Sequence, residues 1–247
     1  MSKSRRVQAL WVSGDLPTLQ QLSIASFLAQ GHEYHLYTYD LTLQAPAGTV
    51  VRNACEILPD RNVFRDKYGY GAFSDCFRYR LLLSRGGWWV DTDLICLRPF
   101  DSEASYVFSS EDVPGPAGAS VPNSGVIKAP AGAAILEYPD GVCSSKDPSD
   151  IEWAELGPAL VARAVRKFSL EAHVVPPTAF CPIPWFGFRD ILDPSLKIEY
   201  GQETYAVHLW NAIWGRNGLD TNAAYHPECA YERWKREFLS RDRGYPR

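Results

Sequence analysis

The sequence has no apolar run near the roughly 20 residues that a membrane-crossing helix needs. Its start, MSKSRRVQALWVSGDLP, is basic and then apolar, but the apolar part is too short for a signal peptide or an anchor. A cytoplasmic protein is therefore expected. Metal-finger spacing is missing too: Cys55, Cys76, Cys96, Cys143, Cys181 and Cys229 are scattered, with no C-x-x-C. Cys76 and Cys96 fall in apolar segments, as small core residues do, which fits a reducing compartment. Positive charge is not in excess. With 25 Lys and Arg against 29 Asp and Glu, the net charge is -4, which offers nothing to attract nucleic acid. Repeats, low-complexity tracts and a second domain boundary are also absent. The 247 residues, 46% hydrophobic, suffice for one sizeable core, so a single domain over 1–247 is expected.

What is present centres on AFSDCFRYRLLLSRGGWWVDTDLICLRPF, residues 72–100. Phe73, Cys76, Phe77, Leu81 and Leu82 recur at helical spacing, which gives the helix one core-directed face. Gly86 and Gly87 end it. Trp88, Trp89 and Val90 form a short strand too apolar to face water. Asp91-Thr92-Asp93 then lies at the carboxyl end of that strand, where open α/β sheets bind ligands. Alternation along a strand end points Asp91 and Asp93 the same way, so two carboxylates converge on one small volume. Like charges that close call for a cation. A hard divalent ion with oxygen ligands, Mg²⁺ or Mn²⁺, is the natural one, and it commonly takes phosphate oxygens as further ligands. Asp75 and Arg78 share a helix face. They are either a surface ion pair or a pair that binds sugar hydroxyls beside the metal.

Upstream, a strand over Val7–Val12, a helix from an N-cap at Thr18 to Gln30, and a strand over Glu33–Tyr37 make a βαβ unit with a parallel sheet. A further strand lies near Thr49–Arg52. The segment Asp60–Tyr70, rich in charge and aromatics, is expected to cover the site. Downstream come a strand at Tyr106–Ser110, the Gly/Pro loop VPGPAGASVP, the turn-like Asn123-Ser124-Gly125 before a strand, and a helix over Ala131–Tyr138. A polar loop over Asp140–Asp150 and a helical stretch starting at Gly157-Pro158 follow. Near the end a short strand finishes at His208, followed by an aromatic turn with Asn211 and Trp214. The tail YERWKREFLSRDRGYPR is amphipathic and basic. It is either a solvated terminal helix or a weak contact with an anionic membrane surface.

The run SDCFRYRLLLSRGGWWVDTD resembles the DXD sugar-binding region of a glycosyltransferase family, family 32 of the carbohydrate-enzyme classification. That family includes fungal initiating mannosyltransferases, bacterial capsule and polysaccharide transferases and, more distantly, the large glucosylating toxins. Ser74, Asp75, Arg78, Tyr79, Gly86, Gly87, Trp89, Asp91 and Asp93 fall on its pattern. Trp88-Trp89 departs from it, since tyrosine is more usual next to the DXD. Asn123-x-Gly125, Gly157-Pro158 and His208-x-Trp210 resemble its later motifs.

The resemblance implies a GT-A-like α/β fold with a Rossmann-type central sheet, the DXD at the sheet's edge, and a bacterial-type cytoplasmic enzyme. It implies metal-dependent transfer of a hexose, with retention, from a UDP- or GDP-sugar to a carbohydrate or glycoconjugate hydroxyl. Asp93 would ligate Mn²⁺ or Mg²⁺ directly, and Asp91 would bridge the ribose and the metal's shell. Asp75 and Arg78 would hold the sugar, and His208 would complete the metal site. Trp11 would stack on the nucleobase, or else is core. Ile213 stands where the family often carries a serine before its second tryptophan, so that contribution is missing or comes from Asn211, and His208 to Trp214 form either a metal-linked lid or a segment packed against the carboxy-terminal helix. Two other classes stay open: a catalytically silent nucleotide-sugar-binding protein, and a D-x-D phosphohydrolase, which Ile95 disfavours.

Overall fold

Period-two alternation in the first strand decides which residues face which side of the sheet. The computed structural model describes residues 5–116 and 118–239. Strand β1 (Arg6–Trp11) leads to helix α1 (Thr18–Ala29), β2 (Glu33–Thr38) and β3 (Val50–Asn53). After two short turns come α2 (Gly71–Arg85), β4 (Gly87–Val90) and β5 (Leu94–Cys96). Then follow β6 (Val107–Asp112), β7 (Ser120–Ala129), α3 (Ala134–Ser145) and α4 (Pro158–Lys167). Last are β8 (Ala206–His208), α5 (Asn211–Arg216) and α6 (Ala230–Trp234).

The main sheet runs β3-β2-β1-β4-β7-β6. Its first four strands are parallel, β7 runs antiparallel to them, and β6, antiparallel to β7, runs in their direction again. Val7 and Ala9 on β1 and Trp88 and Val90 on β4 face one core, shared with α1, the β5-β8 pair and α6. Leu10 and Trp89 face the other, under α2, α3 and α4. The paired tryptophans are thus split between two cores by one step of alternation. The α/β expectation holds, and so do the βαβ unit, the helix over residues 71–85 and the strand before the two aspartates.

The chain proceeds outward from β1 through β2 to β3, then returns to place β4 on β1's other flank. The carboxyl ends of β1 and β4 are therefore a topological switch point, where an open sheet leaves a crevice. Asp91-Thr92-Asp93 sits there, at the end of an interior strand rather than at the sheet's edge as expected.

Four local expectations are corrected. Thr18 is not the N-cap of α1; Pro17 is, and the backbone N–H of Thr18 finds its partner 2.8 Å away in Asn222 Oδ1. A distant side chain thus meets a need that sequence assigns to a local one. Helix α3 begins later than expected and runs on through Pro139 to Ser145, into the stretch read as a loop. The proline forfeits a backbone bond, but its ring is buried. The presumed turn after His208 is helix α5. Trp214 within it is fully buried against Phe188, Tyr225 and Tyr231, with its Nε1 donating to Leu209 O at 2.7 Å, so it packs the core and is no lid. In the tail, Tyr231, Trp234 and Phe238 turn into the core. Residues 240–247, which share the expected membrane contact, lie outside the described residues. Among the described residues no helix is long and apolar enough to cross a membrane.

Candidate active site

Helix α2 lies across the face of β4, so residues one turn apart on the helix look at the strand's carboxyl end. Arg78 is the hub. It is 3% exposed, with Nη1 2.7 Å from Asp75 Oδ1 and Nη2 2.7 Å from Asp91 Oδ1. Its guanidinium also lies 4.9 Å from the centre of the Trp89 ring, whose Nε1 donates to the same Asp91 oxygen at 2.8 Å. The pairing of Asp75 with Arg78 is therefore buried, not the surface ion pair considered above. Burial opposes charge on Arg78, but Asp91 and Asp75 outweigh it and hold the guanidinium protonated. Burial lifts the Asp75 carboxyl to about 6 despite the pull of Arg78. Only the Nη2 contact has hydrogen-bond geometry. Nη1 is engaged by Asp75 as an ion pair without hydrogen-bond geometry, and Nε is buried without a hydrogen-bond partner.

Asp93 is held from the other side of the site. His208 Nε2 lies 3.1 Å from its Oδ1, and the backbone N–H of Asn211 donates to its Oδ2 at 2.9 Å. The β5-β8 pairing places Leu94 opposite His208, which is why residues 115 positions apart meet here. Burial works against the imidazolium, yet the Asp93 carboxylate raises the His208 pKa well above the usual range, and His208 in turn holds Asp93 low. Asp91 is partly buried and faces Asp93, and partial burial with that neighbouring charge raises its pKa despite Arg78. Ligand atoms of Asp91, Asp93 and His208 all lie within 4.8 Å of one another, and a hard cation fits between them. Such an ion would displace the imidazole proton, since only neutral imidazole ligates.

A cavity of about 780 Å³ opens above these groups. Trp11 lines it, half-buried, with its Nε1 donating to Gly14 O at 2.8 Å. Asn211 lines it as well, although its fixed contribution is the backbone amide rather than the side chain. Asp66, Tyr68 and Tyr70 form part of the mouth, as expected of the segment 60–70. Two glycines keep the floor compact. A Cβ on Gly125 would stand 2.8 Å from Asn123 Oδ1 and 3.4 Å from Asp91 Oδ2, and one on Gly157 would stand 2.9 Å from Asp75 Oδ2. The Asn-x-Gly and Gly-Pro motifs thus both end against site carboxylates.

Sequence reasoning assigns no site role to three lining residues. Trp210 has a φ of 57° and packs its ring 4.0 Å from that of His208, with Nε1 donating to Ile183 O at 2.8 Å. A tryptophan held in the left-handed region is strained and over-determined by its surroundings. Glu111 is a buried carboxylate whose Oε2 accepts from Asn123 Nδ2 at 3.0 Å, and burial raises its pKa. Gln20 lines the cavity with a buried, unpartnered Oε1. Trp210 left a trace in the His208-x-Trp210 motif and Glu111 as an acidic residue at the end of an apolar strand, whereas Gln20 left none.

Known proteins match both halves of this geometry. Residues 32–109 match the model of a glycosyltransferase sugar-binding region containing the DXD motif, and residues 149–238 match that of an alpha 1,4-glycosyltransferase conserved region. Lactosylceramide 4-alpha-galactosyltransferase of Mus musculus is 36% identical over 73 residues, which is 24% of this chain and 20% of that protein. The likeness thus spans only a fifth of the relative's length. Among solved structures, the PaToxG glycosyltransferase superposes with a TM-score of 0.51 at 14% identity, covering 68% of this chain and 72% of that one. At that identity the likeness concerns the fold alone, which is of the expected GT-A type. The first matched region carries Asp75, Arg78, Asp91 and Asp93, and the second carries His208 and Asn211. Both meet in one cavity, which bears out the expected enzyme class, a glycosyltransferase of the DXD type.

Proposed function

We propose that the chain transfers a hexose, with retention, from a UDP- or GDP-sugar to a carbohydrate hydroxyl, in a metal-dependent reaction like that of family-32 enzymes. The single observation that carries the proposal is the floor of the cavity. There the Asp91, Asp93 and His208 ligand atoms lie within 4.8 Å of one another, beside an arginine paired with both Asp75 and Asp91. The printed activity of the mouse relative favours galactose among the hexoses. The cytoplasmic location and the single catalytic domain expected from the sequence belong to the same proposal.

Asp91, Asp93 and His208 would hold Mn²⁺ or Mg²⁺, whose charge would offset that developing on a departing diphosphate. The chain's own residues do the rest. Arg78 fixes the Asp75 and Asp91 carboxylates and supplies positive charge beneath the donor, and Asp75, so held, accepts from a sugar hydroxyl. Trp11 offers an aromatic face at the end of β1 for the base. Asn123, oriented by Glu111, is aimed by Gly125's lack of a side chain. Glu111 is the one inner carboxylate outside the Arg78 and His208 pairings, and Asn123 engages it. Retention is therefore assigned to a front-face route, in which the acceptor proton goes to the leaving phosphate. A glycosyl ester trapped on Glu111 and seen by mass spectrometry would replace that route with a double displacement.

The test is a panel of UDP- and GDP-hexoses, each assayed for hydrolysis and for thermal stabilisation with and without Mn²⁺ or Mg²⁺. Metal-dependent stabilisation together with slow hydrolysis of one donor is the expected outcome. Stabilisation without turnover would mean a silent nucleotide-sugar binder. Turnover of simple phosphate esters instead would mean a phosphohydrolase.

A further inference from the structure

Large hydrophobic side chains are exposed at six places among the described residues, and three of them, Tyr68, Tyr70 and Trp153, stand at the mouth of this one cavity. Arg216 joins them. Its guanidinium lies 3.4 Å from the centre of the Trp153 ring and 5.6 Å from that of Tyr68, and the two rings meet edge to face at 5.3 Å. Arg216 has no ion pair and no hydrogen bond among the described residues. Stacking fixes its plane, while its N–H edge stays unused.

The cluster is assembled from three distant segments. Tyr68 is presented by a tight turn in which Asp66 and Gly69 exchange backbone hydrogen bonds. Trp153 precedes Ala154, whose φ of 61° is unusual for a residue with a side chain. Lys67 and Glu152, paired at 3.1 Å, tie these two loops together. Arg216 ends the helix whose first residue, Asn211, holds Asp93. Five residues at about 1.5 Å each put the rim about 8 Å along the helix axis from the metal ligands, which is room for one sugar ring.

We infer that Tyr68, Trp153 and Arg216 form the acceptor site and bind a saccharide. The aromatic surface takes the apolar C–H face of a sugar ring, and the Arg216 edge takes its hydroxyls. Strain at Ala154 and an aromatic cluster left open to water cost stability without a structural return, which is the mark of a binding surface. The placement fits the transfer geometry: donor on the floor, acceptor at the mouth, and the transferred sugar between them. This inference rests on the glycosyltransferase proposal.

The probes are 4-nitrophenyl β-galactoside, β-glucoside and α-mannoside, assayed with whichever nucleotide sugar the wild type hydrolyses. One of them should accelerate donor turnover in the wild type. In Trp153→Ala and Arg216→Ala its half-saturating concentration should rise at least tenfold, while that of the donor moves less than threefold. Trp153→Phe should recover most of the loss. Arg216→Lys should not, because a lysine keeps the charge but neither the plane nor the fork. Melting curves separate these effects from unfolding. Equal acceptor saturation in the folded variants would overturn the inference, and so would a wild type that hydrolyses donor yet responds to none of the glycosides. A wild type that hydrolyses no donor at all would count against the glycosyltransferase proposal instead.

Discussion

On the floor of the cavity Arg78 is 3% exposed and lies between two carboxylates. At the rim Arg216 is exposed and lies on an indole with no carboxylate beside it. The same side chain is used under opposite conditions. Buried, it is bound to partners whose own charges need it, so floor geometry and stability are one problem. Exposed, it is held by an aromatic face alone, so the rim can change what it binds without endangering the fold. The carboxylates show the same split. Asp75, Asp91 and Asp93 have shifted pKa values set by burial and by the cations Arg78 and His208 beside them, whereas Glu152 at the rim makes only an open ion pair.

The hardest way to break that comparison is at its hub. Arg78→Met keeps length and apolar bulk but leaves the partly buried Asp75 and Asp91 without their cation. A loss of about 3–5 kcal/mol of stability is expected, the usual cost of orphaning buried charges. Urea unfolding measures it. A loss well under that range would mean that water already reaches the floor, and the contrast with the rim would fail.

The next effect is chemical. Asp93→Asn keeps shape, can still accept from the Asn211 amide, and removes one charge from the metal set. Turnover should fall about a hundredfold or more, the typical worth of a group aimed at developing charge. Melting without metal should change little beside the Arg78 variant. Wild-type turnover in the folded protein would remove Asp93 from the site.

Trp11 tests whether the end of β1 belongs with the floor or with the rim, since it is half-buried between them. With a nucleobase stacked on it, Trp11→Ala should weaken UDP or GDP binding by about 1–3 kcal/mol. Calorimetry on the folded variant measures this directly. Unchanged affinity with earlier melting would make Trp11 a core residue only.

The floor was largely legible in the sequence because local rules build it. One helical turn joins Asp75 to Arg78, one step of alternation joins Asp91 to Asp93, and a strand end carries each set to the switch point. His208 was legible only through motif resemblance, because its meeting with Asp93 depends on a two-strand pairing of three residues each. Trp214 was misjudged for a related reason. Helix α5 is six residues long, too short to show a period, and Trp214's burial comes from distant Phe188, Tyr225 and Tyr231. The rim left no local pattern at all, since Tyr68, Trp153 and Arg216 sit on two turns and a helix end far apart in the chain. Glu111 and Gln20 were hidden likewise, as lone polar residues in apolar elements.

The smallest effect sharpens the comparison most. Lys67 and Glu152 make an ion pair at 3.1 Å, geometrically similar to those of Arg78, but their side chains are 51% and 72% exposed. Water and salt screen such a pair, and ordering two long side chains consumes most of what attraction remains. Lys67→Met should therefore leave the melting temperature within experimental scatter, at low salt and at about 0.5 M salt alike, where surface pairs are screened. Donor affinity should not move either, because no donor-facing group touches Lys67. If Lys67→Met instead melted as early as Arg78→Met, the two rim loops would be a structural clasp, and the separation of a load-carrying floor from an adaptable rim would be wrong. A small rise in the half-saturating glycoside concentration, with melting unchanged, would show the pair doing no more than holding Tyr68 and Trp153 in register.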